Sequence, residues 1–205
     1  MKTKLKICGL TREEDILMVN EIKPDFIGFV FAKSRRQVDL KTALFLKSKL
    51  DKNIKSVGVF VNEEIDYIVR AVNSKAIDII QLHGDENNTY IENLKSLVPT
   101  PIIKAIKIKS DIRNGNDSYK ASDFLLIDSG SGSGKTFDWS VNIPSYKPLF
   151  IAGGIGLENI EEAYKHFKPY AFDLSSSVEV DGFKDFDKMK RIRSKLDKLN
   201  GDIYE

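Results

Sequence analysis

The chain has 205 residues, 41% hydrophobic and 30% charged, and its 32 basic against 30 acidic side chains leave a net charge of +2. This is the composition of a soluble globular chain with one substantial core, and with no run near about 18 apolar residues and no signal-like start it excludes disorder, membrane spanning and secretion. Lysines spread along the chain lack the clustered positive face that nucleic acid needs, and the single cysteine, Cys8, with only His83 and His166 beside it, closes no disulfide and argues against a zinc site, so the expected setting is the cytoplasm.

The apolar runs are short and rich in Val, Ile and Phe, and stretches with helical spacing follow them. Leu5–Cys8 reads as the first strand. Thr11-Arg12-Glu13-Glu14 then makes a cap-and-box start, with Thr11 as the cap and Glu14 reaching back, and it opens a helix on Ile16, Leu17, Val19 and Ile22. Phe26–Phe31 is the second strand, followed by a helix start at Asp39, and Val57–Val61 is the third, followed by one at Asn62. Ile79–Leu82, Ile102–Ile106 and Phe124–Asp128 continue the series. Leu149–Ala152 precedes a helix start before Leu157, and Ala171–Leu174 precedes a last helix from about Asp185 to Leu199, basic at its end as the helix dipole favours.

Strands spaced one strand-plus-helix unit apart require a parallel sheet with helical crossovers. Eight such units sit at the lower limit of about 200 residues for an α/β (β/α)8 TIM barrel. That is the fold expected, as a single domain over residues 1–205, and an open doubly wound sheet is the competing arrangement. Ser129–Gly134 is the only low-complexity segment, too short and too central for an interdomain linker.

In a barrel the chemistry belongs at the C-terminal ends of the strands. Cys8 closes the first strand before Gly9, and reads either as a small buried hydrophobe or as a thiol at the barrel mouth, where a thiolate serves as nucleophile or general base. Asp128 ends an apolar run and is either a loop cap or a functional carboxylate. Asp173 is analogous, although Leu174 after it fits a position inside the strand. A partly desolvated carboxylate stays protonated and acts as an acid, so Asp128 opposite Cys8 forms an acid/base pair that calls for neither metal nor cofactor.

Gly153-Gly154 after the seventh strand and Ser175-Ser176-Ser177 after the eighth offer N–H groups and hydroxyls where barrels hold phosphate, although a glycine pair also fits a plain tight turn. A small phosphorylated ligand is therefore expected. Either guanidinium of Arg35 and Arg36 fits a carboxylate bidentately or faces solvent, and His83 either polarises a ligand or bonds within its loop. Ser129 to Thr136 looks like a nucleotide P-loop. The glycine required five positions before Gly134 is Ser129, however, and Phe137-Asp138-Trp139 leads to Pro144 instead of a long helix, which leaves a glycine-rich loop that could fold over a substrate.

Lys6-Ile7-Cys8-Gly9-Leu10-Thr11, Gly58-Val59-Phe60-Val61-Asn62, Gln81-Leu82-His83-Gly84, Gly132-Ser133-Gly134-Lys135-Thr136-Phe137-Asp138-Trp139 and Ala152-Gly153-Gly154 together closely resemble the phosphoribosylanthranilate isomerases of tryptophan biosynthesis, from about Lys4 to Met189. The resemblance implies a (β/α)8 barrel that performs a cofactor-free Amadori rearrangement of N-(5-phosphoribosyl)anthranilate. By resemblance Cys8 falls on the general base, Asp128 on the general acid and Arg36 on the holder of the anthranilate carboxylate, while His83 and Asp173 line the substrate site. Gly153, Gly154, Ser176 and Ser177 fall to the phosphate, with no metal. One departure stands out: the family usually has Ser-Ser-Gly-Val-Glu where this chain has Ser175-Ser176-Ser177-Val178-Glu179, so if that glycine supplies a positive φ, Ser177 adopts it at a cost. The related aminoimidazole-carboxamide isomerases of histidine biosynthesis are expected to use two carboxylates, against which Cys8 argues. A phosphate-binding barrel without catalysis is a further alternative, against which the Cys8 and Asp128 pair argues. The expected partner is the small phosphorylated substrate, with neither nucleic acid nor membrane, for a chain acting as monomer or homodimer.

Overall fold

The structure is a computed structural model that describes residues 2–107, 119–128 and 147–201. Eight parallel strands among these residues close into a barrel: β1 (Lys4–Cys8), β2 (Phe26–Val30), β3 (Lys55–Phe60), β4 (Ile79–Leu82), β5 (Ile102–Lys107), β6 (Phe124–Asp128), β7 (Leu149–Ala152) and β8 (Ala171–Leu174). The helices described are α1 (Glu13–Ile22), α2 (Leu40–Ser48), α3 (Ile65–Asn73), α4 (Asn88–Leu97), α5 (Ile160–Phe167) and α6 (Phe186–Gly201). No described helix is long and apolar enough to cross a membrane. β1 pairs with β8 in the register Lys4↔Ala171 and Lys6↔Asp173, which closes the sheet and rules out the open doubly wound alternative.

Alternation along the strands divides the apolar side chains into two cores. Leu5 and Ile7 of β1 face outward and join the cluster between barrel and helices, with Val19 of α1, Ile68 of α3 and Leu196 of α6. Phe26, Val57, Ile103, Leu126 and Phe150 fill the barrel interior. Its lower end is an aromatic floor: Phe26 and Phe150 lie 5.5 Å apart, Phe124 and Tyr170 5.3 Å apart, and the Lys4 ammonium sits 4.6 Å over the Tyr170 ring. The interior is therefore plugged from below, and the space left for a ligand is at the top.

Helix starts show where local signals held and where they shifted. Asp39 caps α2, its carboxylate accepting from the Thr42 N–H at 2.7 Å. At α1 the cap is Arg12 and not Thr11, because buried Asp15 instead of exposed Glu14 turns back to accept from the N–H groups of Thr11 and Arg12 at 2.9 and 3.0 Å. Asn62 caps no helix: it holds a φ of 50° and its side chain accepts from the Asp85 N–H at 2.8 Å, tying two loops together, and α3 begins after Glu64. The start foreseen before Leu157 falls at Asn159, whose amide bonds back to Gly154 and Gly156. A short hairpin, β9 (Glu179–Val180) with β10 (Phe183–Lys184), lies between β8 and α6.

Candidate active site

A cavity of about 460 Å³ opens at the C-terminal ends of the strands, and Cys8, Gln81, His83, Asp128, Gly154 and Asp173 are among its lining. The alternation that sends Leu5 and Ile7 outward turns Lys6 and Cys8 inward. Cys8 has room because its partner across the ladder is Gly28, where any Cβ would lie 2.5 Å from the sulfur. Gly9 follows with a φ of 82°, and the stem of Arg36 crosses it so closely that a Cβ there would meet Arg36 Cδ at 2.3 Å. Glycine at 9 thus serves both the turn and the approach of the arginine.

Beneath the thiol lies Lys6, 0% exposed, whose ammonium donates to Asp173 Oδ2 at 2.8 Å. Burial works against the lysine's charge, but the Asp173 carboxylate and the adjacent sulfur outweigh it and hold the Lys6 pKa above its ordinary value. Burial pushes the Cys8 thiol up, with Lys6 pulling it down and Asp173 reinforcing the rise. The second carboxylate oxygen of Asp173, Oδ1, is buried with no hydrogen-bond partner among the described residues, as is Oε1 of Gln81. A buried acceptor without a donor costs about 1–3 kcal/mol, so both oxygens are suited to donors arriving on a ligand.

Asp128 closes β6 on the other side of the mouth, with β7 and β8 between it and β1. Its Oδ2 stands 3.3 Å from His83 Nε2, and His83 Nδ1 stands 3.0 Å from the Gln81 amide nitrogen. That nitrogen can only donate, so Nδ1 accepts and the ring proton sits on Nε2, directed at Asp128. His83 therefore does more than bond within its own loop.

Arg36 is engaged elsewhere. Its Nε and a terminal nitrogen bind the two oxygens of Glu179 at 2.7 and 2.8 Å, and Glu179 also accepts from Arg35 and Lys184, each at 2.6 Å. The hydrogen bond to Glu179 holds the Arg36 pKa above its usual value. Burial pushes the Glu179 carboxyl up, but hydrogen bonds from Arg36 and Lys184 prevail and hold it below the ordinary glutamate range. Burial lowers the Lys184 pKa despite the same contact. Three cations on one buried carboxylate leave positive charge over for a second anion.

After β7, Gly153 and Gly154 hold φ values of 78° and 66°, a backbone that only glycine adopts cheaply. After β8, Ser176 opens a 3-10 turn that runs to Val178. Gly153, Gly154 and Ser176 face the cavity. Ser177 lies in the same turn without a positive φ, so the serine in place of the usual glycine is unstrained. The glycine-rich stretch Ser129–Gly134 and the motif from Gly132 to Trp139 lie outside the described residues.

The sequence profile of the family described as N-(5'phosphoribosyl)anthranilate (PRA) isomerase matches residues 5–195. The chain belongs to this family. A relative from Endomicrobium trichonymphae named N-(5'-phosphoribosyl)anthranilate isomerase is 47% identical over 191 residues, 91% of this chain and 94% of that one. Among solved structures, phosphoribosyl anthranilate isomerase from Thermotoga maritima matches 96% of this chain and all of its own length, with a TM-score of 0.85 and 34% identity. A phosphoribosyl anthranilate isomerase solved in complex with reduced 1-(o-carboxyphenylamino)-1-deoxyribulose 5-phosphate gives a TM-score of 0.83 at 32% identity, covering 96% of this chain and 100% of that one. The barrel and the family resemblance read from the sequence both hold.

The PRA isomerase barrel brings Cys8, His83, Asp128, Asp173, Gly153, Gly154 and Ser176 around one cavity, leaves Ser177 in the adjoining turn, and engages Arg36 with Glu179. Sequence reasoning assigned no role to Lys6, Gln81, Glu179 or Lys184. A signal existed for the first two: Lys6 lies two residues before Cys8 and Gln81 two before His83, so each shares a face with a residue already singled out.

Proposed function

We propose that the chain converts N-(5'-phosphoribosyl)anthranilate to 1-(2-carboxyphenylamino)-1-deoxyribulose 5-phosphate by an Amadori rearrangement, with Cys8 as general base and Asp128 as general acid. Membership of the family makes it an isomerase of tryptophan biosynthesis. The finer reading rests on one observation, the entry of Cys8 from β1 and Asp128 from β6 into the same cavity.

Asp128 gives its proton to the furanose ring oxygen. The C1–O bond breaks, and the anilino nitrogen's lone pair forms a C=N bond, leaving an iminium. The positive nitrogen acidifies the C2 proton, which the Cys8 thiolate removes; the C–H electrons form the C1=C2 bond while the C=N pair returns to nitrogen. The enolamine then takes a proton at C1 and releases the hydroxyl proton at C2, which yields the ketose with no net change in atoms or electrons. Burial raises the thiol pKa, and a sulfur of higher pKa is the stronger base once ionised.

Binding divides among the remaining groups. The turn at Gly153-Gly154 and the Ser176-Ser177 turn take the phosphate through backbone N–H groups and hydroxyls. The anthranilate carboxylate goes to Arg36 within its cationic cluster, and Asp173 Oδ1 and the His83 and Gln81 pair meet hydroxyls of the sugar. The test is the decay of substrate fluorescence with freshly made phosphoribosylanthranilate. Cys8→Ala and Asp128→Asn should each lower kcat by about 10²–10⁴-fold with the fold intact; near-full turnover in either variant refutes the assignment.

A further inference from the structure

We propose that Lys6 is the positioning residue of the acid/base pair: its ammonium, locked in place by Asp173, supplies the counter-charge that lets the half-buried Cys8 sulfur exist as a thiolate. This rests on the reading of Cys8 as the base. A lysine with 0% exposure in a barrel interior is costly unless it is paired and hydrogen-bonded, and Lys6 is both, through Asp173 Oδ2 at 2.8 Å. An apolar residue would fill the same space at no such cost. What the lysine adds is a fixed positive charge on the inward face of β1, two residues below the thiol.

The surroundings single out Lys6 among the charges that face Cys8. Asp173 faces it from β8 and opposes ionisation, while Lys184 from β10 favours it. Arg36, from the loop after β2, also faces the sulfur, and His83 and Asp128 stand across the cavity. Lys184 and Arg36 are both bound by Glu179, so their charge is partly cancelled at source. Lys6 shares the inward face of β1 with Cys8, and its charge favours ionisation of the sulfur more strongly than that of Lys184 does. Asp173 fixes the ammonium with one oxygen and keeps Oδ1 unpaired and buried, so it restrains the lysine while still presenting an acceptor to the cavity.

Cys8 is the only cysteine in the chain, so its alkylation by iodoacetamide reports thiolate alone, without turnover. A nearby opposite charge moves a titration by about 1–3 pH units, and below the midpoint the alkylation rate follows the thiolate fraction. Lys6→Met should therefore alkylate about 10- to 1,000-fold more slowly than wild type at pH 8. Its kcat should fall by a similar factor while KM stays within about twofold, because the substrate contacts remain. Lys6→Met leaves Asp173 unpaired and could fail to fold, so Lys6→Met/Asp173→Asn is made alongside it. The double variant should also alkylate more slowly, by a smaller factor, since the opposing carboxylate charge has gone too. Alkylation at the wild-type rate in either folded variant overturns the proposal. If Cys8→Ala keeps full turnover, the reading of Cys8 as base fails, and this inference falls with it even where the alkylation rates shift; if Cys8→Ala is inactive and the rates do not shift, only the role of Lys6 fails.

Discussion

Replacing Gly28 by alanine would put a methyl carbon 2.5 Å from the Cys8 sulfur and 3.1 Å from its Cα. Ordinary non-bonded contacts between carbons lie at about 3.5–4.0 Å, so the sulfur must retreat by about 1 Å or the two strands must separate. The second route is closed, because Gly28 is both paired with Cys8 in the β1–β2 ladder and bonded through its carbonyl to the N–H groups of Gly9 and Leu10 at 2.9 and 3.1 Å. Crowding of this kind costs about 1–3 kcal/mol, which in a chain of this size lowers Tm by about 2–4 °C per kcal/mol. With Cys8 as the proposed base the catalytic loss should be larger in proportion, since a catalytic group displaced by about 1 Å loses on the order of 10²-fold. The assay pairs thermal unfolding with steady-state turnover: kcat falls about 10²-fold, KM changes little, and the protein remains folded at 25 °C. Full kcat in a folded Gly28→Ala enzyme would refute the requirement for the sulfur at its observed position, and with it the reading of Gly28 as the space in which the proposed base sits.

Arg36→Ala should raise KM strongly with a smaller loss in kcat, and a substrate analogue without the aromatic carboxylate should be indifferent to the substitution; equal losses for both ligands would exclude the contact. Glu179, whose carboxyl is held below its ordinary range in the fold, gives up protons on folding. Its stabilisation is thus complete above the unfolded value of about 4.3 and is lost as pH falls through the folded value. Glu179→Gln should be less stable by about 3–5 kcal/mol at pH 7, because Arg35, Arg36 and Lys184 are left around a neutral amide. Its urea midpoint should lose less than that of wild type between pH 6 and 3, and identical acid slopes would disprove the cluster's role. Gly154→Val should abolish competition by inorganic phosphate, whereas Ser176→Ala should weaken it slightly, because the φ of 66° and the close approach belong to the backbone; unchanged inhibition in Gly154→Val would move the phosphate elsewhere.

Much of the fold was legible locally. Runs of Val, Ile and Phe at regular intervals specify strands whatever surrounds them, and β4, β6, β7 and β8 begin and end where those runs do. Cys8 and Asp128 stood out because each ends such a run, and in a closed parallel barrel a strand's C-terminal end is at the mouth. Asp39 capped its helix as foreseen, since capping needs only the N–H three residues on. The α1 cap failed for a geometric reason: Thr11 and Arg12 are both plausible starts, and the choice went to the register that buries Asp15 and leaves Glu14 in water.

What no local pattern decides is which charged residues go inside. Lysine at position 6 reads as a polar residue on a short strand. Its burial follows from the closure of β1 against β8, which delivers Asp173 from 167 residues away as the partner without which the ammonium could not leave water. Likewise Arg36 meets Glu179 from 143 residues away through the hairpin after β8, a pairing invisible to any window along the chain. Glycine 28 belongs to the same class. Nothing beside it in sequence demands glycine, and the sulfur it makes room for lies on the neighbouring strand. Periodicity and strand ends are properties of the chain's own backbone and are therefore written in consecutive residues; the charge pairs and close approaches that equip the site exist only once distant strands are brought into register.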